Sequence, residues 1–458
     1  MIPKKTGQAL EFDLFRNQLS HLLNQRHALY QLAARIDWQS FEEEFGPLYC
    51  DHNGAPGKPI RLMVGLEYLK QIYDLSDDQV VVRWVENPYW QYLCGEDYFQ
   101  YEIPIDPSSL SRFRQRIGAS GCEKLLAESI QAGLKSGAVK ERDFKRVTVD
   151  TTVQEKAVSF PTDSKLLNRS RERLVKLCQR NALKLRQTYT RKGPQALWKA
   201  SRYAHAQQLQ RLHRQVRRLR TYLGRVVRDI ERQIADKQAL QAMFAEELAM
   251  AKRLLAQEKH SKHKLYSLHA PEVECLSKGK AHKRYEFGVK VSITSTNRRN
   301  FIVGAQSLPG RPYDGHTLQD ALAQTRRLTH TEIDEAFVDR GYRGHGEQTT
   351  AVYLAGQRRG IKTGSLKKRL KRRQAIEPVI GHLKSDGRLD RNYLQGMAGD
   401  AMNVLLCCAG HNLRLILRHL RFFWPSIWRK YRALLDALFR QTKSDGLRIP
   451  VMFNQAVL

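Results

Sequence analysis

Two aspartates lie within or directly after segments whose residues are typical of buried strands. Asp150 falls inside the run from Val147 to Thr152, and Asp339 closes the run Ala336-Phe-Val before an Arg-Gly turn. An acid at an apolar strand position is costly unless it is paired or bound to a metal ion. Each aspartate also has an ordinary alternative, because Asp150 could face solvent on an edge strand and Asp339 could shape the glycine turn.

Carboxylates that are distant in sequence and adjacent in the fold suit hard divalent cations such as Mg²⁺. Two such ions about 3.5–4 Å apart stabilise both the entering and the leaving oxygen when a phosphodiester is cleaved by in-line attack. Metal-assisted phosphodiester cleavage is therefore one chemistry open to Asp150 and Asp339. A zinc site is not supported, because His316 has no His or Cys partner at ligand spacing.

The charge of the chain favours a polyanionic partner. Its 458 residues include 78 Lys and Arg against 46 Asp and Glu, a formal net charge of +32, whereas the apolar fraction, 41%, is ordinary for a soluble protein. Each phosphate that a cation neutralises releases condensed counterions, which favours binding to nucleic acid. A ribosome-associated protein or a merely soluble basic surface is the alternative.

The sequence favours the cytoplasm, with DNA tying the protein to the nucleoid. Seven cysteines form no CxxC pair, which argues against a zinc ribbon and against a disulfide framework. The first residues are not followed by the apolar run of a signal peptide. The longest apolar stretch, 401–417, is interrupted by polar residues and predicts a buried helix rather than a membrane span.

The segments around the two aspartates predict an α/β fold. β-type residues surround Asp150, alternation predicts strands at 285–294 and 301–306, a helix follows at 317–328, and another strand ends at Asp339. Strand, strand, strand, helix, strand, helix is the order of a ribonuclease-H-like catalytic core.

We assign this core to residues 141–162 and 271–425, and expect three further regions around it. Residues 1–140 predict a helical domain for DNA binding or assembly. Residues 163–270 predict a long basic helical insertion between the first two core strands, and residues 426–458 predict a C-terminal helical tail.

Arginines mark a candidate DNA-binding segment in the N-terminal region. Ser76 and Gln79 form a capping-box pattern that opens a helix. A later segment, closed by Gly118, carries Arg112, Arg114 and Arg116. Two helices followed by a basic one are compatible with a helix-turn-helix-like reader of DNA. An ordinary helical domain with a solvated arginine face is equally open.

The insertion is a strongly basic part of the chain. Residues 173–228 hold 16 Lys and Arg and no Asp or Glu, and apolar residues recur at steps of three and four from Leu209 to Ile230. This pattern predicts a helical hairpin or a coiled coil. A solvated basic helix is the alternative to a DNA-contacting arm, which we favour. The arm would contact DNA through Arg217, Arg218 and Arg220.

Several blocks of the sequence together resemble a known family. The first-strand Asp150-Thr-Thr, the block Val338-Asp-Arg-Gly-Tyr and the block from Ile376 to Lys384 match, in order, the catalytic blocks of the DDE transposases of bacterial insertion sequences, in the group related to insertion sequence five. Upstream blocks resemble the N-terminal domain of that group: Arg61–Lys70, Arg83–Trp90 and Asp106–Leu110. The resemblance covers roughly residues 30–155 and 280–420.

The resemblance implies a metal-dependent enzyme that cleaves DNA at transposon ends and transfers the cut strand into target DNA. Asp150, Asp339 and Glu377 would be the catalytic triad and would bind two Mg²⁺ ions, for which Mn²⁺ could substitute. The partners would be double-stranded DNA, namely terminal inverted repeats and target DNA, and further copies of the chain in a homodimer or higher assembly on paired ends.

The block around Glu377 both matches the family signature and departs from it. Arg373, four residues before the acid, and Lys384, seven after it, match the basic positions of the Tyr-Arg-Glu-Lys signature, but Leu370 stands where the Tyr is expected. Pro378 predicts that Glu377 lies at a helix N-terminus and that Arg373 precedes the helix.

A second basic run leads into Glu377. Residues 358–373 contain no acid and predict a clamp on the DNA being cut, with a flexible surface loop as the alternative. In the candidate DNA-binding set we include Lys384, which follows Glu377, together with Arg373 and four more residues from this run: Lys368, Arg369, Lys371 and Arg372.

Other uses of the same sequence stay open at this stage. Asp314 could be another metal ligand, although turn or N-cap duty before the helix at 317–328 is the favoured interpretation. A ribonuclease-H-like nuclease that cuts without joining, and a DNA-binding protein without catalysis, are the alternatives to a transposase.

Overall fold

The computed structural model describes residues 17–50, 56–258, 260–277, 284–357, 360 and 363–444. In the last helix, side chains are described as far as residue 421. Residues 358, 359 and 362 of the second basic run therefore lie outside the described residues.

Helices dominate the described part of the chain. In chain order they are α1 (Leu19–Leu22), α2 (Ala28–Ala33), α3 (Trp38–Phe45), α4 (Ile60–Tyr73), α5 (Asp77–Glu86), α6 (Pro88–Leu93), α7 (Ser108–Ser136), α8 (Glu141–Phe144), α9 (Asp163–Arg180), α10 (Lys192–His205), α11 (Leu209–Ile234), α12 (Gln238–Ala256), α13 (Asp314–Thr329), α14 (Gly364–Arg372), α15 (Ile376–Ser385) and α16 (Gly396–Ser444).

The strands form one mixed sheet, so the predicted α/β class is confirmed. They are β1 (Arg146–Glu155), β2 (Glu274–Ser277), β3 (Tyr285–Thr296), β4 (Ile302–Leu308), β5 (Glu335–Val338) and β6 (Ala351–Leu354). The hydrogen-bonded order is β2-β3-β1-β5-β6, with β4 also on β3. β3 is antiparallel to β1, β2 and β4, whereas β5 is parallel to β1 and β6.

The elements that carry the site follow the order that the sequence predicts. Strands β1, β3 and β4, helix α13 and strand β5 succeed one another along the chain, and Asp339 comes directly after β5. Helix α13 begins three residues earlier than predicted, at Asp314. The capping box between Ser76 and Gln79 is confirmed, since each side chain accepts the other residue's backbone N–H. The short strands β2 and β6 are not predicted by the alternation pattern.

Helix α16 ties the N-terminal helices to the sheet. The buried Asn412 side chain bonds both the N–H and the carbonyl of Ile302 in β4, and its amide also donates to the Ser129 hydroxyl in α7. The helices before β1, the sheet and α16 share one continuous hydrophobic cluster. α16 runs unbroken through residues 425 and 426, where the sequence placed the start of a tail.

The insertion has a hydrophobic cluster of its own, built from α9, α10, α11 and α12. Leu219, Leu223 and Ile230 of α11 are fully buried there, whereas Leu209 at the start of the same helix is 60% exposed. The predicted apolar stripe is therefore buried over the second half of α11. It packs into a group of several helices rather than a two-helix hairpin or coiled coil, because α9, α10 and α12 all lie against α11.

No helix in the described part of the chain has the length and apolar character needed to cross a bilayer.

The structure overturns one predicted DNA contact. Arg114 is 3% exposed, and its guanidinium lies 2.5 Å from a Glu67 carboxylate oxygen and 2.6 Å from one of Asp77. Burial alone would lower the pKa of Arg114, but the charges of Glu67 and Asp77 outweigh it and raise that pKa. A cation removed from water must be paired. Arg114 thus joins α4, α5 and α7, while Arg112 and Arg116 are exposed.

Replacing Arg114 should destabilise the whole protein. Arg114→Ala leaves the fully buried Glu67 carboxylate without its partner, and the loss of one member of a buried ion pair costs about 3–5 kcal/mol. Urea unfolding followed by circular dichroism measures this loss. The control is Arg112→Ala, two residues away on the exposed face of α7, which should stay within about 0.5 kcal/mol of wild type. Equal effects of the two substitutions would refute the structural role of Arg114.

Candidate active site

The parallel pairing of β1 with β5 brings the two aspartates side by side. Val147 pairs with Ala336, and Thr148 with Phe337. The same register continued by two residues sets Asp150 opposite Asp339. Neighbouring strands lie about 4.8 Å apart, and residues in register point to the same face of a sheet. The two carboxylates therefore emerge together on one face, at the end of β5.

Arg373 connects this pair to the third acid. Its guanidinium nitrogens lie 3.7 Å from Asp150 Oδ2 and 3.7 Å from Glu377 Oε1. The Arg373 side chain is 11% exposed and that of Asp150 is 20% exposed, whereas that of Glu377 is 67% exposed. One cation thus stands between two carboxylates, the inner one on the sheet and the outer one open to solvent.

The local structure around Glu377 agrees with the sequence prediction. Arg373 opens a 3-10 turn, Arg373–Ala375, that links α14 to α15, and Glu377 and Pro378 fall in the first turn of α15. Proline is tolerated there because the first N–H groups of a helix have no intrahelical acceptor. The N–H of Ile376 bonds the carbonyls of Arg373 and Gln374, so α15 continues directly from the preceding turn.

The pKa of a buried tyrosine is affected by the negative charges of the site. Tyr342, in the 3-10 turn after Asp339, is 1% exposed. Its burial, and next the charges of Asp150, Asp314 and Asp339, raise the pKa of its phenol well above the usual value. The three carboxylates thus lie near one buried phenol.

Asp314 lies on the other face of the sheet from Asp150. Its Oδ1 accepts from the Thr151 hydroxyl at 2.9 Å and lies 2.6 Å from Lys290 Nζ. Adjacent strand residues point to opposite faces, so the partner of Thr151 is across the sheet from Asp150. The N-cap interpretation of Asp314 is wrong, because α13 begins at Asp314 itself and its N-cap residue is Tyr313. The Lys290 pair and the opposite face also disfavour Asp314 as a ligand beside Asp150.

The donor atoms at the site suit a hard divalent cation, but they are not drawn together around one. Among the described residues, no group of three His, Cys, Asp or Glu side chains stands close enough to hold a metal ion. Asp150 and Asp339 offer carboxylate oxygens from neighbouring strands, which is the ligand type that Mg²⁺ prefers. The pair fits such an ion, with Glu377 separated from it by Arg373.

Lys384 is not part of this arrangement. Its Nζ lies 3.5 Å from Glu286 Oε1, and the Glu286 side chain is 3% exposed. Glu286 stands seven residues along β3 from Ile293, the cross-strand partner of Asp150. The two basic residues that match the signature therefore lie apart. Arg373 lies between the acids, and Lys384 lies at the far end of β3.

The second basic run divides into anchors and exposed cations. Arg369 lies 2.9 Å from Glu335 of β5, and Arg372 donates to the backbone carbonyls of Asn297, at 2.6 Å, and Arg298. These two arginines hold α14 against the strand ends. Three lysines of α14 are instead exposed: Lys367, Lys368 and Lys371.

The arginines predicted for the insertion divide in the same way. Arg217 and Arg218 are exposed on the outer side of α11. Arg220 is half-buried and donates to the carbonyls of Leu255 at 3.0 Å and Gln257 at 2.9 Å. The last carbonyls of a helix lack intrahelical donors. Arg220 therefore caps the C-terminal end of α12, and its assignment to DNA is wrong.

Two segments of the chain match known protein families. Residues 17–116 match the family model described as Transposase domain (DUF772), and residues 343–417 match the one described as Transposase DDE domain. These two matches identify the chain as a DDE transposase. The second match covers Arg373 and Glu377 and begins just after the turn that follows Asp339, so this transposase carries the matched segment next to its strand aspartates.

One relative extends the comparison. A Rhizobium meliloti protein described as uncharacterized protein ORF8 in nfe locus is 49% identical to the transposase over 196 residues, which are 43% of this chain and 94% of that protein. No solved structure matches the chain.

Three residues of the site escape the sequence interpretation: Lys290, Thr151 and Tyr342. Lys290 reads as a solvent-facing member of an alternating strand, and nothing in its neighbourhood indicates Asp314 as a partner. Thr151 and Tyr342 are close in sequence to the acids of the matched blocks, so the sequence shows that they lie near the site. Their contacts with other parts of the sheet depend on the tertiary structure.

Arg220 and Arg218 of the transposase should respond differently to substitution. Arg220→Ala removes two charge-assisted hydrogen bonds to helix-ending carbonyls and should cost about 1.5–3 kcal/mol of stability. Arg218→Ala, on the exposed side of the same helix, should change stability by less than about 0.5 kcal/mol. Urea unfolding of the two variants measures the difference. If Arg220→Ala proved as stable as Arg218→Ala, Arg220 would not cap α12.

Proposed function

We propose that this DNA transposase cleaves phosphodiesters with the triad Asp150, Asp339 and Glu377 and then joins the cut end to target DNA. The observation that carries the proposal is the pairing of β1 with β5, whose register sets Asp150 beside Asp339. Arg373, 3.7 Å from both Asp150 and Glu377, adds the third acid to the same place.

We also propose that the sheet and its helices form a ribonuclease-H-like core interrupted by the helical insertion. Three antiparallel strands, β1, β3 and β4, are followed by α13 and then by β5 and β6, both parallel to β1. This order, with one acid in the middle of β1 and another directly after β5, supports the proposal. Residues 1–140 would be the DNA-binding or assembly domain, although they share a hydrophobic cluster with the core.

Mg²⁺, or Mn²⁺ in its place, would be held by Asp150 and Asp339, with Glu377 as the third ligand. Two bound ions would neutralise charge that develops on the attacking and leaving oxygens. The chain itself contributes Arg373, whose guanidinium can hold a phosphate by two parallel hydrogen bonds. Because Arg373 already lies between two carboxylates, it would bring the scissile phosphate to them and offset its negative charge.

The proposed chemistry has two steps. In the first, water attacks the phosphorus at the transposon end, the bond to the 3′ oxygen breaks, and a 3′-OH and a 5′-phosphate result. In the second, that 3′-OH attacks a phosphodiester of target DNA, and the target's own 3′ oxygen leaves. The first step converts a phosphodiester into a 5′-phosphate, whereas the second exchanges one phosphodiester for another. Both proceed by in-line attack of an oxygen on phosphorus, so one set of carboxylates and one arginine can serve both.

Exposed cations outside the site would hold the duplex. The proposed contacts are Arg112 and Arg116 of α7, Arg217 and Arg218 of α11, and Lys371 of α14, all of which are exposed. Each would add a sequence-independent, salt-sensitive contribution to affinity. We further propose that two or more copies act on paired transposon ends.

Neutral isosteres of the three acids should abolish cleavage. Asp150→Asn, Asp339→Asn and Glu377→Gln each remove a metal-binding charge that is worth several kcal/mol in the transition state, so cleavage should fall by about a thousandfold or more. The assay is Mg²⁺-dependent nicking of a duplex that carries the DNA bordering the gene. Affinity for that duplex, measured in EDTA, should be unchanged or higher, since each variant loses a negative charge.

The matched control is Asp334→Asn. Asp334 is an exposed aspartate at the opposite end of β5 from Asp339. The Asp334→Asn variant should cleave DNA at the wild-type rate. Cleavage retained by any one of the three triad variants would remove that residue from the proposal, and loss of cleavage in the control would show that the assay reports general damage.

A pre-cut substrate separates a transposase that joins DNA from a nuclease that only cuts. A duplex with an exposed 3′-OH at the transposon end, incubated with circular target DNA and Mg²⁺, should give a covalently joined product, because the second step needs no water. Glu377→Gln should give none. Absence of joined product with the wild type, alongside normal nicking, would favour the nuclease.

A further inference from the structure

A cleft opens between the turn after β6 and one face of α14. The turn contributes Ala355, Gly356 and Gln357. The helical side and the turn that follows it contribute Lys367, Leu370, Lys371, Arg373 and Gln374. None of the described lining residues is acidic, and three of them carry a positive charge.

The cleft uses the face of α14 that does not anchor the helix. Residues 367, 370, 371 and 374 follow the spacing i, i+3, i+4 and i+7, which places them on one side of a helix. Arg369 and Arg372 point elsewhere, to Glu335 and to the carbonyls of Asn297 and Arg298. The basic run is therefore split, with two arginines fixing the helix and two lysines left for the cleft.

Each wall of the cleft contacts a residue that lies beside one of the acids of the site or follows it in sequence. On the helical side, Arg373 lines the cleft and also lies 3.7 Å from both Asp150 and Glu377. On the turn side, Arg340, the residue after Asp339, donates from Nε to the carbonyl of Ala355 at 3.1 Å. The cleft is thus an extension of the carboxylate site.

The lining favours the backbone of DNA over a base. Lysine ammonium groups and amide side chains are donors that suit phosphate oxygens. A site for an unstacked base would instead offer an aromatic platform, and no described lining residue is aromatic.

We propose that this cleft binds the phosphodiester backbone next to the cleaved phosphate, with Lys367 and Lys371 as the contacting cations. The inference rests on the proposed function, since it takes DNA at the carboxylates as its starting point. It goes further because it gives α14 two separate roles, with arginines that anchor the helix and lysines that contact DNA. It also excludes Lys368 from the contacting cations, since Lys368 neighbours Lys367 in sequence but does not line the cleft.

The test compares Lys371→Gln with Lys368→Gln, two exposed lysines on the same helix. Affinity for the duplex that borders the gene is measured in EDTA over a range of salt, so that the result does not depend on cleavage. Lys371→Gln should lower the slope of log affinity against log salt by about 0.9, the value of one phosphate contact. The double variant Lys367→Gln/Lys371→Gln should lower it by about twice as much, and Lys368→Gln should have the smallest effect.

Methylphosphonate interference then locates the contact. Duplexes that each carry one neutral methylphosphonate identify which phosphates matter for binding. A position next to the cleavage site should weaken binding of the wild type and of Lys368→Gln, but not weaken the double variant further, because its cations are already absent. Circular dichroism melting verifies that all variants remain folded.

Two outcomes would overturn the proposal. Equal losses in Lys371→Gln and Lys368→Gln would mean that α14 acts only as a diffuse positive charge. Interference confined to phosphates remote from the cleavage site would place these lysines on another part of the duplex. Failure of the triad assay would instead count against the proposed chemistry and leave this binding comparison intact.

Discussion

The site depends first on the register between β1 and β5. A shift of one residue would turn one aspartate to the opposite face of the sheet, because side chains alternate along a strand. The pairs Val147–Ala336 and Thr148–Phe337 prevent this, and they are held by burial, since Ala336 and Phe337 are fully enclosed. Hydrophobic packing thereby positions two charged groups that would repel each other if nothing else held them.

Pairing divides the large positive charge of the transposase among different tasks. Arg114 is enclosed by carboxylates, Arg220 and Arg372 donate to backbone carbonyls, and Arg369 lies on Glu335. These arginines use the planar guanidinium, which forms several hydrogen bonds in fixed directions. The exposed lysines of α14 carry point charges on flexible stems and suit contacts with a phosphate backbone. A net charge alone does not distinguish these uses, whereas the environment of each side chain does.

Arg373 links the scaffold to the proposed chemistry. It follows directly from the helix that Arg369 and Arg372 hold on the strand ends, and it begins the turn that leads to Glu377. The position of the third acid therefore depends on the anchoring of α14. Helix α16, which Asn412 attaches to β4 and α7, packs against the same sheet and makes the N-terminal helices part of one core with it.

The sequence by itself determined the α/β class, the order of the strands, the first-turn position of Glu377 and the exposed or buried character of much of α11, because periodicity and proline geometry act over a few residues. It determined the family through matching blocks. Only the tertiary structure decided which arginines are available, that Lys384 pairs with Glu286, that Asp314 faces Lys290, and that α14 borders a cleft. These depend on partners far away in the chain, and a residue's type does not reveal which distant partner it meets.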